Sequence, residues 1–315
     1  MTDSTPSPKK PIRWWLGIRL LLLGGAAIVW TRLQNDWAFQ KRNLITYEII
    51  IVVLMVVPIF IMGVYSFYTF QTAGVETSDL TLANWHEFFT DSFYHGFLWK
   101  TVRVSIITAL LCAVMGYPPA YFIAMTEFKH KWLLLLLLIV PFWISFTIRT
   151  FSWIHILGEK GAINASLMGL GIISEPLPLL YNEGSVIMGL IHFLLPYMIL
   201  NVYVTLEGID RNLISAARSL GCTEWQAFRE VTLPLLAPAI LASLLLVFTI
   251  SFDNISASMF WRPAGVETMP TQILSMLKVS ITPEVNALGT LMILITVGLP
   301  LLGGLLARAM MRQAT

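Results

Sequence analysis

Asp253, with Ser251 and Asn254 beside it, stands at the end of a long apolar segment of this 315-residue chain. A carboxylate in such a place can hold a protonated amine through a charge-assisted hydrogen bond. Trp153 and Tyr203, in other apolar segments, offer ring faces that attract an amine by cation–π contact. These five residues are the candidate solute contacts. Plainer readings stand beside them. Asp253 lies 19 residues beyond Pro234. That is about 28 Å of helix, against a hydrocarbon core about 30 Å thick, so a water-facing helix end accounts for it too. Aromatic residues also gather at membrane–water boundaries. Arg149 and Glu48 fall near segment ends; Arg149 reads as ordering an outer loop through backbone carbonyls, and Glu48 as facing cytoplasmic water. His192 reads as an interhelical hydrogen-bond partner.

Bond-making chemistry has no footing here. The sequence has no Gly-x-x-x-x-Gly-Lys-Ser/Thr loop to cradle nucleotide phosphates, no His-Glu-x-x-His zinc motif and no Gly-x-Ser-x-Gly elbow. The five histidines are scattered, and the two cysteines, Cys112 and Cys222, give no metal-ligand spacing. The chain reads as no enzyme, with no cofactor or metal of its own.

The elements that carry these residues are membrane helices. Hydrophobic residues make up 57% of the chain, charged residues 12%, and mean hydropathy is +0.74. Soluble domains carry about 25% charged residues. A net charge of +2 gives no footprint for nucleic acid. Six stretches, roughly 45–70, 101–125, 132–152, 185–206, 235–260 and 287–311, are long and apolar enough to span. A shorter run, 14–30, contains Arg19 and reads as a membrane-associated helix that does not span. The expected organisation is an extension over 1–44, a membrane domain over 45–311 and a tail over 312–315.

Lysine and arginine set the orientation. With six spans and the N-terminus inside, 14 of them fall on the cytoplasmic side and 6 outside. Both termini and the 207–234 loop are therefore expected in the cytoplasm. Each span contains proline: Pro58, Pro118 with Pro119, Pro141, Pro196, Pro238 and Pro300. The backbone groups that proline frees need partners from neighbouring helices, which points to a packed bundle.

The 207–234 loop carries the strongest local pattern. Asp210 suits an N-cap, and Leu213, Ile214, Ala217 and Leu220 recur at helical spacing. Gly221 suits the left-handed residue that closes a helix. Thr223 with Gln226 fits a capping box for a second helix, on which Trp225 and Phe228 share a face. Leu233-Pro234 leads into the next span. Two short helices joined by a tight turn make a rigid knob, which transmits force where a floppy loop absorbs it. A plain interfacial hairpin covering the bundle fits the same spacing.

That stretch resembles the cytoplasmic loop shared by permeases of bacterial ABC importers. The family pattern is Glu-Ala-Ala, three residues, Gly, a later aromatic, then Leu-Pro. Here Ala216, Ala217, Gly221, Phe228, Leu233 and Pro234 match, and Ser215 replaces the usual Glu. Residues 145–153, with Gly161 and Asn164, resemble the spermidine/putrescine permease group, as do residues 251–254, 275–278 and 282–288. The resemblance implies an all-α, polytopic type I ABC importer permease fold in a bacterial inner membrane, with six core helices. It implies Leu213, Ser215, Ala216, Ala217, Gly221, Trp225, Phe228, Leu233 and Pro234 as the ATPase-coupling surface. Its implied partners are two ATPase subunits that bind ATP and Mg, a second permease chain (related or identical), and an extracytoplasmic binding protein. Its implied solute is a polyamine or similar organic cation. Amino-acid derivatives, opines and an ion-gradient-driven carrier stand as alternatives.

Overall fold

The computed structural model describes residues 37–71, 75–126, 129–261, 267–279 and 282–313. The expected helix at 14–30 and the end of the tail lie outside them. The chain divides into two compact units, Met1–Ile61 and Met62–Thr315. Helix α1 (Trp37–Tyr65) contains the span Thr46–Tyr65 and continues past Pro58.

After α1, strands β1 (Tyr68–Gln71) and β2 (Val75–Leu80) pair antiparallel, with a register shift between Tyr68 and Thr69. Helix α2 (Ala83–Thr90) follows, and Asn84 Nδ2 donates to the carbonyls of Ser66 and Tyr68, at 2.9 Å each. Helix α1 thus ends at Tyr65, and the hairpin begins at Tyr68, inside the stretch 45–70 expected to span.

The core is built by α3 (Ser92–Met125), α7 (Glu183–Glu207) and α9 (Glu224–Phe252), with α12 (Pro283–Gln313) packed on α9. Apolar burial drives little association between helices already in lipid, so close packing must hold them. The sequence meets that need with small residues. Cys112, Gly116, Ala120 and Ala124 recur every fourth position of α3, are buried, and present one flat face. A Cβ on Gly116 would come within 2.8 Å of Met198 Cγ on α7.

Spans begin and end differently from the sequence expectation. Helix α3 starts nine residues before position 101, because Asp91 caps it by accepting from Phe93 N at 2.8 Å. The third span is not a straight rod over 132–152. It breaks into α4 (Lys131–Trp143) and α5 (Phe146–Leu157), and the two limbs meet at 97°. Ile144 and Ser145 take extended backbone at the joint. A short helix α6 (Ala162–Gly169) follows. The fifth span stops at Phe252, and α10 (Ile255–Trp261) takes up the rest of the stretch expected to span to 260; α11 (Met269–Leu277) follows it. Among the described residues five helices are long and apolar enough to cross a membrane, and the bent pair makes a sixth if it counts as one span.

Candidate functional site

Between α7 and α9 lies α8 (Arg211–Ser219), at the centre of the expected coupling loop. Asp210 caps it, its Oδ1 accepting from Asn212 N at 2.9 Å. It closes with both backbone bonds of a Schellman turn: Cys222 N to Ala217 O at 3.1 Å and Gly221 N to Arg218 O at 3.0 Å. Gly221 has φ +92, the left-handed geometry that side chains resist. Thr223 and Gln226 then bond reciprocally, Gln226 N to Thr223 Oγ1 at 3.3 Å and Thr223 N to Gln226 Oε1 at 2.8 Å. Every orphan donor and acceptor named in this turn has a partner, which is what makes a short loop stiff.

The second hairpin helix expected from sequence is not a separate element. Glu224 to Ala227 run into a π-helical turn, Phe228–Thr232, and on through Leu233–Phe252 without a break, all of it α9. The cause is Pro234. A proline has no N–H for the carbonyl four residues back, and its ring crowds that carbonyl. The wider turn, closed by Leu233 N–H to Phe228 O, carries the chain past it. The knob is therefore one capped helix hinged onto the extended foot of a span.

Two contacts tie the knob to α3. Arg211 Nη2 donates to Ala124 O at 2.8 Å. The Phe228 ring lies 5.5 Å from Tyr117 and 5.3 Å from Trp225. Of the expected apolar stripe, Ala217 is buried and Ile214 half-buried, while Leu213 and Leu220 point away. Leu220 is 87% exposed and Trp225 67%. Ser215 and Ala216 are exposed, and the Ser215 hydroxyl bonds back to Arg211 O at 3.2 Å. Leu233 and Pro234 are exposed at the foot of α9. Leu213, Leu220 and Trp225 are thus large apolar side chains left exposed on an otherwise polar loop.

The five candidate solute contacts do not meet. Ser251 is buried with no acceptor for its hydroxyl. Asp253 is exposed at the end of α9, where neighbouring apolar atoms thin its solvation and raise its carboxyl above the usual range. Asn254 caps α10, its Oδ1 accepting from Ala257 N at 2.8 Å. Trp153 packs edge-on against His192, 5.4 Å away. Tyr203 sits at the other end of α7, one turn from Glu207, which takes Lys131 Nζ at 2.7 Å. Ser251 and Asn254 line the same small seam as Leu190 of α7. From Leu190 to Tyr203 is about 20 Å of helix.

Two features were not anticipated. Thr101, Ser105 and Thr108 form a buried hydroxyl row on α3, and Thr101 and Ser105 face Ser251 and Thr268 across that seam. Thr101 Oγ1 accepts from Met269 N at 2.8 Å. Their three- and four-residue spacing inside an apolar span was the available signal. A groove of about 600 Å³ between α7, α9 and α12 is lined in part by Asn201, Thr205, Ser243 and Thr249.

Residues 43–313 match the model of one family, the binding-protein-dependent transport system inner membrane component. The chain belongs to this family. It is a multi-pass transporter subunit of the bacterial inner membrane, as the resemblance implied. Over 209 residues it is 36% identical to the spermidine/putrescine transport system permease protein PotB of Haemophilus influenzae, covering 66% of this chain and 73% of that one. It is 38% identical over 124 residues to PotC of the same organism, covering 39% and 48%. Its fold is similar to that of a bacterial alginate ABC transporter solved with an alginate pentasaccharide-bound periplasmic protein. The TM-score there is 0.70 at 16% identity, over 89% of this chain and 97% of that one.

Proposed function

We propose that this chain is one of two permease subunits of an ATP-driven importer, and that it carries a polyamine or similar small organic cation into the cell. The observation that carries the reading is the α8 knob. It is capped at both ends and tied to α3 through Arg211, it sits beside the start of α9, whose Phe228 ring meets Tyr117 of α3, and Leu213, Leu220 and Trp225 stand exposed on the two elements. Such a knob suits a cleft on a separate ATPase, which binds ATP and Mg and does the hydrolysis. When the two ATPase subunits close, they drag the knob, and α3 and α9 move with it. The solute class follows the PotB and PotC relatives. A soluble binding protein outside the membrane delivers the solute, and a second permease chain completes the route.

The test is uptake of radiolabelled spermidine and putrescine into proteoliposomes holding the assembled complex, its binding protein and internal ATP. Uptake is expected with active ATPase and absent with a nucleotide-dead one. Equal uptake in the two, or uptake abolished by an uncoupler at constant ATP, overturns ATP coupling. Uptake of other solutes alone overturns the solute class.

A further inference from the structure

Arg149 lies on α5, just beyond the joint of the broken span. Its guanidinium carbon stands 5.2 Å from the Phe193 ring centroid and 6.0 Å from that of Phe146. Its Nε is buried and has no acceptor among the described residues. The ion pairs among the described residues join Arg103 to Glu183, Lys131 to Glu207 and Arg218 to Glu224, and none includes Arg149. A second donor nearby is in the same condition. Trp261 Nε1 is also buried without an acceptor among the described residues, and the Trp261 ring lies 6.2 Å from that of Phe146.

Ring faces attract a cation but offset only part of the cost of taking it out of water. A guanidinium in a membrane helix cannot face lipid cheaply, so it turns to a route or to another chain. Both unused groups are N–H donors, and Arg149 keeps a planar fork. The acceptor that fits a fork, with lone pairs to spare for a second donor, is a carboxylate.

We propose that Arg149, backed by Phe146 and Phe193, is a carboxylate-binding residue whose carboxylate comes from another molecule. Two sources bring the same chemistry: an acidic side chain of the facing permease chain, or a carboxyl group on the transported amine. The inference rests on the importer reading only for this choice of source.

The experiment uses the full complex with Arg149→Gln, Arg149→Lys and Trp261→Phe. It measures recovery of the facing permease chain on a tagged copy of this one, and the uptake ratio of ornithine to putrescine, which differ by one carboxylate. ATPase retention through the distant α8 knob serves as the folding control. A charge-assisted pair carries about tenfold or more in an equilibrium. A facing-chain source predicts recovery down about tenfold in Gln, partly restored in Lys, with the uptake ratio unchanged. A solute source predicts the ratio down about tenfold with recovery unchanged. Trp261→Phe is expected to move the same readout by about threefold, as for one neutral hydrogen bond. If the Gln chain does not assemble, the Lys and Phe variants decide. Unchanged recovery and ratio in all surviving variants overturn the proposal. If wild type carries neither amine, the solute class above fails, and recovery alone decides for Arg149.

Discussion

Replacing Gly221 tests the knob at its closing turn. The residue has φ +92, and a Cβ there would meet nothing within 4 Å. Gly221→Ala therefore introduces no collision; its whole cost is backbone strain, about 1–2 kcal/mol for an L-residue held in the left-handed region. If the turn relaxes instead, it gives up the Cys222 N to Ala217 O and Gly221 N to Arg218 O bonds, and α8 frays from its C-terminus. The ordered knob then loses up to about 5–30-fold in population, and a partner that docks only on the ordered form binds weaker by the same factor. Asparagine tolerates the left-handed region better than alanine, so Gly221→Asn should fall between the two. Gly208 is the control: its φ is −81, and a Cβ would meet only Thr205 O, at 3.4 Å, and Val204 O. The assay is the affinity of the ATPase for the purified permease pair, beside ATP-driven uptake. Alanine and glycine proving equal at 221, or 208 and 221 responding alike, would refute the argument that this turn sets the docking geometry.

Three further predictions concern other parts of the chain. Gly189→Ala should lower the thermal stability of the detergent-solubilised chain by about 1–3 kcal/mol, the usual range for overpacking. A Cβ there would sit 1.4 Å from Trp261 Cζ3, so an unchanged melting temperature would mean that α10 does not pack on α7 in this way. Asn164→Ala removes a fully buried amide that donates to Gly158 O and Leu177 O and accepts from Leu177 N, at 3.0–3.1 and 2.9 Å. Leaving those groups unpaired costs about 1–3 kcal/mol. Faster amide exchange should appear across residues 158–177 and not in α8. Phe228→Ala cuts the ring contacts with Tyr117 and Trp225 while leaving Leu213 and Leu220 of α8 untouched. ATPase retention should persist, while solute uptake per ATP hydrolysed falls; uptake and retention falling together would contradict a separate transmitting role for Phe228.

Much of the 207–234 loop was legible because its signals are local. A cap, a left-handed glycine and a reciprocal capping box each involve residues within a few positions, and Asp210, Gly221, Thr223 and Gln226 do what their spacing indicates. Long apolar runs were legible for the same reason. The break at Ile144 and Ser145 was not, since neither residue is a breaker and Pro141 resembles the prolines that other spans absorb. The π turn was hidden because Pro234 reads equally well as the first turn of a helix. The early start of α3 was masked by His95 and Lys100, polar residues that helix outside the hydrocarbon tolerates. The separation of Tyr203 from Asp253, and the pair of rings beside Arg149, depend on which helices pack together. No single segment encodes that.

Helix α3 has 34 residues, about 51 Å at the usual rise, well beyond a hydrocarbon core of about 30 Å. Its C-terminal end carries Ala124, the acceptor for Arg211, and 21 residues earlier stands Arg103, paired with Glu183. One unbroken rod is therefore long enough to reach past both faces of a hydrocarbon core. Thermodynamic linkage makes such a rod two-way. Whatever factor nucleotide inside adds to the grip on a loaded receptor outside, that receptor must return to the nucleotide. Binding measured from either compartment should yield one and the same number.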